Sequence, residues 1–301
     1  MNNKRRLFST VLCVAALTAG LFVSGCGSDK AGGIGSVVFS VVDGGDEKAT
    51  AKLNTLIDAT NRFNSDNASF AEFQAEGLAK LKGGFAEGAI TNQPHFDRLQ
   101  ADLEKSKKEG STFKEVDAER DNLLNILNEL VPVYKDLTAY DDSKAYMNDG
   151  GAKGKDLAAK YVAAVEKFDA AYAKFNETLN KVNAEQSKKQ IEKLKKDGKK
   201  GYAAAMESTL RLTTLVDNLE KAPQKADKAA VEKELSEIEA LLKSINNDRG
   251  QVLAERYNSV VGDVRQVLAD PSDNNLNNMI QGFNSYIDTY NNTTPDQFDA
   301  K

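Results

Sequence analysis

Between Lys155 and Asp197 the apolar residues Leu157, Tyr161, Val165, Phe168, Tyr172, Phe175, Leu179 and Val182 recur at spacings of 4, 4, 3, 4, 3, 4 and 3, with no Pro or Gly in the stretch. Alternating threes and fours keep the apolar side chains on one narrow stripe of an α-helix. The stretch therefore predicts one extended helix that packs lengthwise along partners. Val116, Leu123, Leu127, Leu130, Tyr134 and Leu137 form a second seam, with Pro132 inside it. A proline removes one backbone donor and crowds the preceding turn, so a kink is expected there. Val231, Leu235, Ile238, Leu242 and Ile245 form a third seam, Leu253, Tyr257, Val260 and Val264 a fourth, and Leu276, Ile280, Phe283, Ile287 and Tyr290 a last one.

Between these seams lie the breaks. Gly83-Gly84, Pro94, Gly110, Asn148-Asp149-Gly150-Gly151, Pro223, Asn247 to Gly250 and Asp270-Pro271 punctuate the pattern, and Gly198 and Gly201 either bend or end the long helix. Ser69-Phe70-Ala71-Glu72 and Thr112-Phe113-Lys114-Glu115 read as capping boxes. A narrow stripe is stable mainly when buried against neighbours. The expected fold is all-α, an elongated antiparallel helical bundle with one or more long helices. Residues 46–291 are read as a single domain, followed by a polar, frayed tail over 292–301. No sheet and no fixed repeat is expected in this body.

The start of the chain is organised differently. Lys4, Arg5 and Arg6 precede an apolar run from Leu7 to Val23, interrupted by Ser9 and Thr10, and Val23-Ser24-Gly25 leads directly into Cys26. The run is shorter than the ~20 residues that span a bilayer. It has the layout of a cleaved signal segment, and the small residues before Cys26 resemble a lipobox. That resemblance implies removal of residues 1–25, acylation of Cys26 and a lipid-anchored chain in the bacterial envelope facing the periplasm. Gly27, standing where an Asp would retain the protein at the inner membrane, implies the outer membrane. Residues 26–45 read as a flexible tether rich in Gly and Ser. Its apolar patch Val37–Val42 is either a small strand or a segment that docks on the body.

The whole chain carries a net charge of −5, and loss of the three basic residues of the signal leaves −8. An acidic body argues against nucleic-acid binding. Within it, Lys181, Lys188, Lys189, Lys193, Lys195, Lys196, Lys199 and Lys200 face only Glu185, Glu192 and Asp197 in sequence, a local charge of +5. This basic patch is either a contact for anionic lipid or an acidic partner protein, or a solvated helix end with i,i+4 pairs. Once Cys13 leaves with the signal and Cys26 is acylated, no thiol remains for a disulfide.

Candidate chemistry is sparse. The single histidine, His95, stands beside Pro94. Asp141, Asp142 and Asp149 lack the spacing of a calcium loop. Gly150 to Lys155 resembles a phosphate loop only superficially, without its spacing or a preceding strand. No catalytic residue, metal site or cofactor is assigned, and the chain is not expected to be an enzyme. Tyr134, Tyr140 and Tyr146 are six apart and cannot share one regular helical face; they are either core filler or the wall of a shallow pocket. Asn54 and Asn61, and Asn284 and Asn291, form pairs seven apart. These are either hydrogen-bonding positions or a polar clamp for a ligand.

Together, the lipobox, the Asn-rich opening Asn54 to Asn61, the segment Tyr140-Asp141-Asp142-Ser143-Lys144-Ala145-Tyr146-Met147-Asn148-Asp149 followed by Gly154-Lys155, and the closing Phe283-Asn284 to Tyr290-Asn291 resemble the YiiG-like bacterial lipoproteins. The resemblance runs from about Lys48 to Asn291. It implies an all-helical envelope lipoprotein and supplies no catalytic residues. Lys144, Tyr146, Asp149 and Lys155 form its best-matching cluster, which makes them the candidate interaction surface, with a structural turn as the other reading. The function expected is a non-enzymatic binding or interaction module with an envelope protein or anionic lipid as partner. The alternatives are a small-ligand or peptide carrier and, remotely, a hydrolase built around His95.

Overall fold

The computed structural model describes residues 16–18, 38–40, 47–68, 71–91, 93–110 and 113–300. The fold is an all-α bundle with eleven α-helices among these residues: α1 (Glu47–Ala68), α2 (Ala71–Lys82), α3 (Phe96–Lys108), α4 (Lys114–Asp142), α5 (Tyr146–Asp149), α6 (Ala152–Lys196), α7 (Lys200–Lys221), α8 (Lys228–Lys243), α9 (Asp248–Ala269), α10 (Asp273–Asn291) and α11 (Pro295–Asp299). The 45 residues of α6 give a rod of about 68 Å. Apart from the helices, Val38–Ser40 (β2) pairs in parallel with Ala16–Thr18 (β1), so residues 38–40 of the apolar patch form a short strand. No helix among the described residues is long and apolar enough to cross a membrane. Cys26, most of the segments expected to be a signal and a tether, and Ser69, Phe70 and Thr112 of the two expected capping boxes lie outside the described residues.

Residues group into two compact units, one containing Thr55–Leu179 and the other Asn180–Lys301 with the start of α1. The core of the first is aromatic. Phe63, Phe96 and Phe168 lie within 4.9–6.1 Å of one another, and Tyr172 stacks on Phe168 at 5.3 Å. Buried tyrosines need a partner for the hydroxyl. Tyr161 donates to Gln93 Oε1 at 2.6 Å and Tyr172 to Asn64 Oδ1 at 2.7 Å. α3 packs against α4, which runs unbroken through Pro132. Its N-cap is Phe113, with no side-chain cap, one residue later than the capping-box reading implies.

In the second unit α7 packs on α8, α8 on α9, α9 on α10, and α7 on α10 and α11. Tyr286, fully buried, meets the hydroxyls of Ser208 and Thr209 at 3.2 and 3.0 Å. Gly198, at φ +80°, ends α6, whereas Gly201 lies inside α7, so the long helix stops rather than bends. Asn247 is the N-cap of α9, its side chain accepting from the Gly250 N–H at 3.0 Å. Asp248 to Gly250 are thus helical, not a turn. The expectation of a frayed tail is overturned: residues 295–299 are helical and Phe298 is 2% exposed. One aromatic in an otherwise polar tail found an apolar seat, and its burial orders the segment.

Candidate functional site

The segment from Tyr140 to Lys155 leaves one helix and starts another. α4 ends at Asp142, and Lys144 takes a left-handed backbone at φ +51°, uncommon for a residue with a Cβ. Short α5 follows and stops at Gly150 and Gly151, at φ +65° and +84°. Glycine is required there because the chain reverses into α6 within two residues. Asp149 closes the reversal: its carboxylate accepts from the N–H groups of Gly151 at 2.9 Å and Lys153 at 3.3 Å. It thereby satisfies donors that the first turn of α6 leaves open. The Tyr140 hydroxyl donates to the same carboxylate at 2.6 Å. That bond, ahead of the backbone donors, holds the Asp149 carboxyl below its ordinary range. Burial first, then the bond to Asp149, raises the Tyr140 phenol.

This turn is fastened to the Gly83–Gly88 loop. Phe85 packs on Tyr140 at 5.1 Å and on Tyr146 at 5.3 Å, and the Gly88 N–H donates to Asp141 Oδ2 at 2.9 Å. A hydrogen bond to Glu87, together with burial and the charges of Glu87 and Asp141, pushes the Tyr146 phenol up to about 12. Gly154 sits against this aromatic trio: a Cβ there would come 2.5 Å from Tyr140 Cε1 and 2.7 Å from Phe85 Cγ.

The candidate cluster therefore divides. Half-buried Tyr146, packed on Phe85, and exposed Asp149, bonded to Tyr140 and the start of α6, hold the turn, while Lys144 and Lys155 are exposed. Met147, at the tip, is 75% exposed. Tyr134 belongs elsewhere, with Phe96 and Tyr161 at 6.3 and 6.2 Å, so the three tyrosines wall no common pocket. Lys155 also lines an open cleft of about 320 Å³ with Leu81, Val162 and the Lys82–Glu166 ion pair of 2.8 Å. Phe85 and Gly154 had no place in the sequence reading as site residues. A lone aromatic inside Gly83-Gly84-Phe85-Ala86-Glu87-Gly88 was the available signal, since an apolar ring between glycines seeks a seat.

The basic patch is partly neutralised. Lys193 pairs with Asp197 at 3.5 Å, Lys195 with Glu192 and Glu207 at 3.2 and 2.9 Å, and Lys199 with Asp296 at 3.7 Å. Lys188, Lys189, Lys196 and Lys200 are exposed with no carboxylate partner among the described residues. His95 is exposed at the N-terminus of α3, its backbone N–H held by Asn67 Oδ1 at 3.2 Å. Among the described residues no group of His, Cys, Asp and Glu is arranged to hold a metal ion. Asn54 is buried, whereas Asn61, Asn284 and Asn291 are half-buried.

Residues 47–251 match the family DUF3829, described as a protein of unknown function. No curated protein and no solved structure matches the chain.

Proposed function

Since the chain belongs to the DUF3829 family, which carries no assigned activity, we propose that it is a lipid-anchored, non-enzymatic interaction module of the bacterial cell envelope, akin to the YiiG-like lipoproteins. The turn around Met147 is the surface it offers to a partner. One observation carries this reading: a methionine 75% exposed stands on a turn held by the Tyr140–Asp149 bond and by Phe85 against Tyr140 and Tyr146. A flexible thioether on a rigid platform, flanked by the Lys144 and Lys155 ammonium groups, suits an apolar pocket with an acidic rim on another envelope protein. The anchor rests on the basic start, the apolar run and Cys26. Cleavage before Cys26 would remove Ala16–Thr18 and leave Val38–Ser40 without its strand partner, freeing it as part of the tether.

A photo-crosslinking residue at position 147 in intact cells tests the surface. A discrete adduct is expected, weakened by Lys144→Glu with Lys155→Glu and absent from the same probe at Lys243. Equal labelling from both positions would refute it. Cys26→Ala should release the protein from the membrane fraction; a wild type that never incorporates labelled palmitate sinks the anchor.

The exposed lysines at 188, 189, 196 and 200 favour a second contact, with anionic head groups. Binding to vesicles rich in anionic lipid should weaken steeply with salt and with charge reversal at these four positions. Binding that ignores both would remove this contact.

A further inference from the structure

Seven arginines lie among the described residues, and five of them hold a carboxylate. Arg62 pairs with Asp102, Arg98 with Asp66, Arg120 with Asp117 and Asp121, Arg211 with Glu234 and Glu237, and Arg265 with Glu232. Arg249 and Arg256 hold none, in a chain with 45 acidic residues against 40 basic ones. Both are exposed, and both line one open cleft of about 390 Å³ between α9 and α10. Local helix energetics do not account for Arg249. It lies in the first turn of α9, where the helix dipole disfavours a cation.

The two walls of the cleft are chemically opposite. On α9, residues 249, 252 and 256 share a face, so the guanidinium groups flank Val252, which is 39% exposed. Guanidinium groups only donate. On α10, Asp288 offers a carboxylate. The hydroxyls of Ser285, Thr289 and Thr293 already donate to the carbonyls of Gln281, Ser285 and Thr289 at 3.1, 2.9 and 2.9 Å, so what they present to the cleft is lone pairs. One wall carries two positive charges; the other carries one negative charge, hydroxyl acceptors and the Asn292 amide, which both donates and accepts.

We propose that this cleft is a binding site for a small acidic amino acid. Its two carboxylates pair with Arg249 and Arg256, its ammonium with Asp288 and the hydroxyl oxygens, and its methylenes lie on Val252. Seven residues of helix separate the two arginine backbones by about 10.5 Å. Val252 between the two arginines and the Asp288 carboxylate opposite suit two carboxylates on an apolar stem with an ammonium better than one compact phosphate. The volume lies in the range of small-ligand pockets. The site is independent of the Met147 surface and of the anchor.

Calorimetric titration of the purified full-length protein at low salt tests it. L-Glutamate is expected to bind. Glutamine, which lacks one carboxylate, and glutarate, which lacks the ammonium, should each bind roughly tenfold or more weakly, the loss of one charge-assisted pair. Arg249→Ala and Arg256→Ala should each weaken glutamate to a similar extent, and the double variant should abolish binding. Both side chains are exposed and unpaired, so circular dichroism and melting temperature should stay unchanged in these variants. Absence of glutamate binding in the millimolar range, tighter binding of inorganic phosphate than of glutamate, or unaltered affinity in the double variant would each overturn the proposal.

Discussion

The Asp299 carboxylate accepts the backbone N–H of Gly201 at 2.6 Å, across 98 residues of sequence, and reaches the Tyr202 N–H at 3.4 Å. α7 starts at Lys200, and its own N-cap, Lys199, provides no side-chain cap. The open N–H groups at the N-terminus of α7 are thus met by Asp299, from α11. Phe298 lies 6.1 Å from the Tyr202 ring and 5.9 Å from Tyr290, and the Asn247 amide donates to the carbonyls of Gln297, Phe298 and Ala300 at 3.2, 2.9 and 3.0 Å. A Cβ at Gly201 would collide with the Phe298 carbonyl. Asp299→Ala should therefore lower stability by about 1 kcal/mol, as loss of a cap does. Gly201→Ala should cost more, because it displaces backbone. Denaturant unfolding of both variants checks the order; equal stability of all three proteins would show the tail to be idle.

The turn after α4 separates what holds the structure from what the surface offers. Gly154→Ala should destabilise by ~1–3 kcal/mol, since the new methyl would have to push Tyr140 and Phe85 apart. Met147→Gln should stay within about 0.5 kcal/mol, as an exposed substitution does. Thermal unfolding of the pair reads the contrast directly. A destabilising Met147→Gln would mean that the thioether serves packing.

Ser187 on α6 is fully buried, and its hydroxyl has no hydrogen-bond partner among the described residues. An unsatisfied buried hydroxyl opposes folding. Ser187→Ala is expected to stabilise the protein by about 1 kcal/mol, measured as a higher urea midpoint at unchanged m-value. A lower midpoint would show that the hydroxyl is satisfied in solution.

Burial, the neighbouring Asp217 and a weaker opposing pull from Lys221 set the Glu220 carboxyl at about 7, up from an ordinary 4.5. Below the lower value both folded and unfolded chains hold the proton, and Glu220 contributes no pH dependence. As pH rises between the two, the unfolded chain releases its proton first, so stability from this group falls through that window and is level above it. Glu220→Gln cannot ionise. Its melting temperature should match wild type near pH 4 and exceed it near pH 8; a constant offset would remove Glu220 from the pH dependence.

Much of the helical scaffold was legible beforehand. The spacing from Leu157 to Val182 marks the buried stripe of α6, and glycines at 150, 151 and 198 mark places where the backbone turns left-handed. The candidate site was legible only as a motif. Lys144, Tyr146, Asp149 and Lys155 stand together in sequence, yet Asp149 serves as a cap and Tyr146 as a wedge. That division depends on Phe85 and Gly88, more than fifty residues away. The tail was misread because a single Phe298 carries no period, and nothing local announces a docking partner.

Periodicity along the chain determined which face of each helix is apolar and where most of the helices break. These are local consequences of a 3.6-residue turn and of side-chain chemistry. The tertiary structure alone decided what each stripe lies against, which distant carboxylate caps α7, and that, among the described residues, Arg249 and Arg256 are the arginines without a carboxylate partner. A stripe of Leu and Val is equally content against any other, so the choice among partners is made only when the whole chain competes for burial and hydrogen bonds at once.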